Sequence, residues 1–265
     1  TGVTNVNAGT LVAANDSALG TTASGTSIAS GATLDVQANL GTEALTSAGG
    51  SILTSTGTGT VGGTVALTAN STIGGDGTLN LDGVISGGFG LTKTGSGTTT
   101  LSAANTYTGT TTVDAGTLTL AGGSAIVDTG AVVLNGTSIL TLSASETIGS
   151  LAGASGTSVN LGSNTLTTGG NDSSTTFAGV ISGTGNLVKD GTGTFNLTGT
   201  SGFSGTTTVS EGTLQVNGSI ASSTVMVQSG ATLGGTGTTG SLTIDAGAFH
   251  RPGNSPGITT VNGDY

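Results

Sequence analysis

Residues 83–120 read GVISGGFGLTKTGSGTTTLSAANTYTGTTTVDAGTLTL and residues 179–216 read GVISGTGNLVKDGTGTFNLTGTSGFSGTTTVSEGTLQV, so the chain repeats itself 96 residues on without a gap. Nineteen of the 38 aligned positions are identical, among them the glycines, aliphatics and GTTTV run that set backbone shape and core. A repeat of this kind signals a solenoid, in which each unit buries its apolar face only against its neighbours.

The apolar residues alternate with period two. TLNL (78–81), TLTL (117–120), LTL (140–142), VNL (159–161), VMV (225–227) and LTI (242–244) place Leu118 with Leu120, and Val225 with Val227, on one face of a strand, with Thr and Asn turned to water. Helical spacing is rare, and glycine, at 52 of 265 residues, interrupts almost every window long enough to hold a helix. The Thr excess points the same way, because β-branched side chains suit a pleated surface. The expectation is an all-β chain. Similar strands recur in the same sequence sense behind the same glycine, at Gly9-Thr-Leu, Gly77-Thr-Leu, Gly116-Thr-Leu and Gly212-Thr-Leu. Stacked in register they bring Leu onto Leu and Thr onto Thr, which is a parallel β-helix. At roughly 20–25 residues per coil the chain makes about eleven to thirteen coils, a rod of roughly 50–65 Å at ~4.8 Å per strand. Gly87, Gly95, Gly97, Gly109 and Gly116 in the first copy, and Gly183, Gly191, Gly193, Gly205 and Gly212 in the second, read as corners between short strands.

Composition excludes several functions. The chain has no cysteine, so neither a disulfide framework nor a thiolate metal site is available. Three Lys+Arg stand against 13 Asp+Glu, and a net charge of −10 repels nucleic acid. No segment is long and apolar enough to span a bilayer as a helix. Gly253–Gly257 (GNSPG), with His250 nearby, fits G-x-S-x-G, yet a nucleophile elbow needs a strand before it and a helix after it, and Pro252 and Pro256 frame a turn here. GGDGTL (74–79) begins like a calcium nonapeptide but has Leu79 in place of the ligand aspartate. The G-x-G-x-x-G matches at 57–62 and 235–240 lack a βαβ context. Lys93 and Lys189, at equivalent positions, read as solvated strand residues; Tyr107 and Phe203, also equivalent, read first as aromatics covering a coil corner and otherwise as possible exposed contacts. No catalytic residue, metal site or cofactor is assigned. Segments 39–65 and 121–176 match the repeat least and are where a specific binding surface or protruding loop is expected.

The pattern GVISGxGxLxKxGxGTxxLxxxNxYTGTTTVxxGTLxL resembles the autotransporter-associated β-strand repeat, or passenger-associated transport repeat, of Gram-negative surface proteins. The second copy departs from it at Phe203-Ser204, where the family shows Tyr-Thr. Residues 1–13 resemble the back half of another such unit, and 230–265 the segment that follows the repeats. The resemblance implies a passenger threaded through an outer-membrane β-barrel of its own precursor and folding as a right-handed β-helix at the cell surface. It implies that residues 1–265 are one solenoid segment excerpted from a longer passenger. The function expected is a structural and adhesive rod, making weak multivalent contact with host-cell or matrix surfaces, glycans, or the same protein on another cell, and aiding export by folding outside. The alternatives are a passive spacer for a distal domain and, less in keeping with the composition, a carbohydrate-active β-helix enzyme.

Overall fold

The computed structural model describes residues 2–253 and 258–265. Every strand pair in it is parallel, and no helix occurs among the described residues. The chain divides into two compact units, Thr1–Val127 and Asp128–Tyr265, each holding one copy of the long repeat.

In the first unit the chain visits three sheets in rotation. Leu45–Ala48, Ser51–Leu53 and Thr58–Val61 lie on successive sheets, and Val65–Ala69, Ser71–Gly74 and Thr78–Leu81 repeat the circuit one coil on. One of these sheets has six strands within the unit, from Thr10–Ala13 to Thr111–Val113. The second unit does the same, with seven strands from Ala131–Leu134 to Phe249–Pro252 on one sheet and six from Glu146–Ile148 to Leu242–Ile244 on another. These are the stacked coils of a parallel β-solenoid, as the recurring Gly-Thr-Leu strands predict. The register step is 20 residues from Thr58 to Thr78 and from Thr78 to Thr98, and it ranges from 17 (Thr232 to Phe249) to 24 (Gly153 to Phe177).

Like stacks on like inside. Val61, Leu81, Leu101 and Leu120 form one register row, and Phe195, Leu214 and Leu233 another, all essentially without solvent contact. Each such side chain contributes roughly 1.5–3 kcal/mol by leaving water, and each coil gains it from the coils on either side. The segments that match the repeat least do not loop out. Leu45–Ala48, Ser51–Leu53 and Thr58–Val61 are ladder strands, as are Ser150–Gly153 and Thr165–Thr168.

All ten glycines assigned to corners lie between strands. Gly116 and Gly212 show most plainly why no other residue serves. Each has a left-handed φ, +66° and +63°, and a Cβ on Gly116 would stand 2.5 Å from the carbonyl oxygens of Gly95 and Gly97.

In both copies a connection replaces a strand on the third side, nine residues long at 102–110 and eight at 198–205. Within 102–110, Thr106 N–H donates to Ile85 O, while Ile85 N–H is met by a side chain, Asn105 Oδ1, at 2.7 Å. Asn105 Nδ2 then donates to Ala125 O at 2.8 Å, so one amide side chain spans two coil spacings where backbone pairing lapses. In the second copy Ser201 takes this place, its Oγ accepting from Ile181 N–H at 3.0 Å.

Candidate binding surface

The outward residues of the first unit form a two-row array. Thr58, Thr78, Thr98 and Thr117 share one register row, and Thr60, Asn80, Thr100 and Thr119 the next but one along the strands. Sheet geometry sets the neighbours ~4.8 Å apart along a row and roughly 6.5–7 Å between rows. The side chains are half-buried or, at Thr58, exposed, and Asn80 Nδ2 reaches Thr60 Oγ1 at 3.5 Å. The second unit carries a related row, Thr194, Thr213 and Thr232, which ends at Phe249. Such a surface offers hydroxyl donors and acceptors at fixed spacing, with no charge among them.

Lys93 and Lys189 do not belong to that surface. Both are fully buried, contrary to the reading of them as solvated strand residues. Strand alternation turns Leu91 and Lys93 inward and Thr92 outward, and the long stem carries the ammonium to the inside of a corner. There Lys93 Nζ donates to the carbonyls of Thr94 (2.9 Å), Gly95 (2.9 Å) and Ala115 (3.2 Å). Lys189 Nζ repeats this on Asp190 (2.8 Å), Gly191 (2.7 Å) and Glu211 (3.2 Å). All three ammonium hydrogens thus have acceptors in each copy. Burial pushes both lysines below their usual pKa, against the attraction of Asp76 on Lys93 and of Asp190, Glu211 and Asp172 on Lys189.

Tyr107 and Phe203 are likewise not exposed contacts: both are fully buried. The rings fill the interior of the strandless connection, where the missing backbone pairing leaves room. Tyr107 Oη pairs with Thr111 Oγ1 at 2.7 Å. Phe203 has no hydroxyl to offer, and the corresponding Thr207 Oγ1 pairs with Ser223 Oγ at 2.7 Å instead.

A carboxylate ties each repeat to the coil before it. Asp76 Oδ1 accepts from the N–H and hydroxyl of Ser96, both at 2.9 Å, and Asp172 Oδ1 from the N–H and hydroxyl of Thr192 at 2.7 and 3.0 Å. Those two hydrogen bonds hold each carboxyl below the usual range. Asp76 and Asp172 precede the repeat boundaries by seven residues and keep the 96-residue offset, a signal that a longer alignment window exposes.

Of the G-x-S-x-G match, residues 254–257 lie outside the described residues. His250 Nδ1 lies 3.2 Å from Tyr265 Oη, and burial pushes its pKa down. Among the described residues no group of three or more His, Cys, Asp or Glu side chains is placed to hold a metal ion.

Parallel coils, lysine-plugged corners and outward rows of Thr and Asn define a structural β-solenoid. The passenger-associated-transport-repeat profile matches residues 91–120 and 187–216, which are the paired strands from Leu91–Thr94 to Thr117–Leu120 and their counterparts ending at Thr213–Val216. The chain carries two of these autotransporter passenger repeats, and repeats of this class mark export through the outer membrane to the cell surface. Among curated proteins it is similar to the adhesin BmaC autotransporter of Brucella suis biovar 1 (strain 1330), 40% identical over 97 residues. The match covers 36% of this chain and 3% of that much longer protein. No solved structure matches.

Proposed function

We propose that this chain is a non-enzymatic adhesive segment of a surface passenger, holding its partner through many weak contacts along outward Thr and Asn rows. The observation that carries this reading is the uncharged two-row array running through Thr58–Val61, Thr78–Leu81, Thr98–Leu101 and Thr117–Leu120. A single hydroxyl contact nets only about 0.5–1.5 kcal/mol, but sites on one rigid scaffold bind with high effective concentration once the first has engaged. The adhesin name of the Brucella relative supports the same reading. Host-cell or matrix surfaces, glycans and the same protein on another cell are the partners that such a face suits, and the precursor's own C-terminal outer-membrane barrel is its partner in export. Folding coil by coil outside the membrane aids that export, because a completed coil resists being drawn back.

The test is to couple the chain to beads and measure attachment to cells, to extracellular matrix and to each other. Attachment that falls when Thr78, Thr98 and Thr117 are each replaced by Lys supports the reading. Beads that neither attach nor clump make the chain a spacer.

A further inference from the structure

We propose that the first repeat copy holds a subsite for one ring of a neutral saccharide, in the trough beside Phe89. The proposal rests on the adhesive reading above and names the ligand class for one place on it. The trough, about 240 Å³, is lined by Gly88, Gly90 and Gly109 with Asn70, Thr92, Thr110 and Thr112. Two of these glycines are required by packing: a Cβ on Gly90 would meet Thr110 O at 2.6 Å, and one on Gly109 would meet Gly90 N at 2.2 Å. Gly88 is not. No heavy atom lies within 4 Å of where its Cβ would be, and its φ is outside the left-handed range. Its missing side chain does nothing for the fold; it keeps the trough open. Phe89, between Gly88 and Gly90 in sequence, flanks the trough and does not line it; its ring stays 39% exposed, apolar surface left in water that the core does not use.

The chemistry around that opening suits a sugar. Asn70 Oδ1 accepts from Gly90 N–H at 2.8 Å, which fixes the amide and leaves Nδ2 to donate. The hydroxyls of Thr92, Thr110 and Thr112 both donate and accept. An aromatic face carries the negative end of its quadrupole and attracts the weakly positive C–H face of a pyranose. No charged residue lines the trough, and a chain of net charge −10 disfavours uronic or sialic acids.

The second copy is a built-in control. Thr184, Gly185 and Asn186 stand where the first copy has Gly88, Phe89 and Gly90, and Val188 replaces Thr92. Asn186 Oδ1 accepts from Thr206 N–H at 2.9 Å, so a side chain occupies the equivalent ground, and the aromatic ring is gone. Gly205, Thr206 and Thr208 keep the places of Gly109, Thr110 and Thr112, while the exposed ring, the open glycine and the Thr92 hydroxyl are lost.

The experiment is a two-dimensional amide NMR titration of the whole chain with glucose, galactose and N-acetylglucosamine, and with glucuronate for comparison. Saturable shifts at Gly88, Gly90, Gly109 and Thr110, but not at Gly205 and Thr206, are expected for at least one neutral sugar, with glucuronate weaker. Gly88→Thr with Phe89→Gly, which installs the second copy's residues, should weaken binding at least tenfold while leaving the rest of the spectrum in place. No saturable shift with any neutral sugar, or equal shifts in the double variant, overturns the subsite even where beads adhere. Sugar shifts that vanish in the double variant sustain it even where beads do not adhere, a result that sinks the adhesive reading alone.

Discussion

The two repeat copies hold the same lysine corner but different aromatic plugs, and the contrast separates what the solenoid needs from what it tolerates. Lys93 and Lys189 make the same three carbonyl contacts to within a few tenths of an ångström. Tyr107 and Phe203 sit in equivalent, fully buried places, yet only the tyrosine has a hydroxyl, and the threonine it would satisfy finds Ser223 in the second copy. The corner is held by backbone carbonyls, which every sequence supplies at the same places once the chain turns. The plug is held by side chains, which can exchange partners. A feature built on backbone therefore persists between copies where one built on side-chain pairs drifts.

The largest expected effect breaks the shared feature. Replacing Lys93 or Lys189 by Met keeps the stem's volume but removes the donors from buried carbonyls. At roughly 1–3 kcal/mol for a buried polar group left unpaired, each Met variant should lose about 2–4 kcal/mol, and the two losses should agree. Hydrogen exchange of the strand amides beside each corner is the measurement, because a solenoid opens locally. If one variant loses nothing, the equivalence of the corners is wrong.

The plugs should respond asymmetrically. Tyr107→Phe strands Thr111 Oγ1 in the interior and should cost about 1–2 kcal/mol, and adding Thr111→Val should recover most of it. Phe203→Tyr brings a hydroxyl to a site whose threonine is already paired with Ser223, so it should destabilise although it restores the residue of the first copy. Denaturant unfolding of the three variants beside the parent decides the matter.

A smaller effect, of opposite sign, comes from the core. Thr99 is fully buried between Leu79 and Leu118, and its hydroxyl has no partner; the second copy has Phe195 there. Thr99→Val fills nearly the same volume without the unpaired hydroxyl and should gain about 1 kcal/mol.

Strand sense and stacking were legible because Gly77-Thr-Leu and Gly116-Thr-Leu place the same residues at the same register, and in-register stacking follows from that. The lysines were misread because Lys is almost never fully buried and the groups that hold its ammonium are carbonyls, which no residue type announces. Parity did carry the signal: in Leu91-Thr92-Lys93 the lysine falls on the inward side of the alternation. Asn105 and the aromatic plugs lay in a connection with no period, where only three-dimensional structure shows that a side chain replaces a backbone acceptor. The trough was hidden for a related reason: the sequence offers 52 glycines and does not say which one the fold could do without.

The smallest effects are in pH, and they sharpen the comparison because both copies share the groups. Asp76 and Asp172 have folded pKa values below the usual carboxylate range, so the unfolded chain binds more protons in acid. Their contribution is present above ~3.9 and is lost as pH falls through the lower folded values. Lys93 and Lys189 are also lowered, so between their folded values and ~10.4 the unfolded chain again binds more protons, and stability rises with pH. Asp172 has a left-handed φ of 61°, which Asn tolerates as well. Asp172→Asn therefore keeps the backbone and an acceptor oxygen for Thr192 but removes the titration. It should unfold more easily than the parent at pH 7, where the ionised carboxylate stabilises the parent, and lose less as pH falls from 5 to 2, so that the two converge in acid, as circular dichroism would show. An unchanged acid slope would mean that the Asp172–Thr192 tie does not couple protonation to folding, and Asp76→Asn would then test whether the first copy differs.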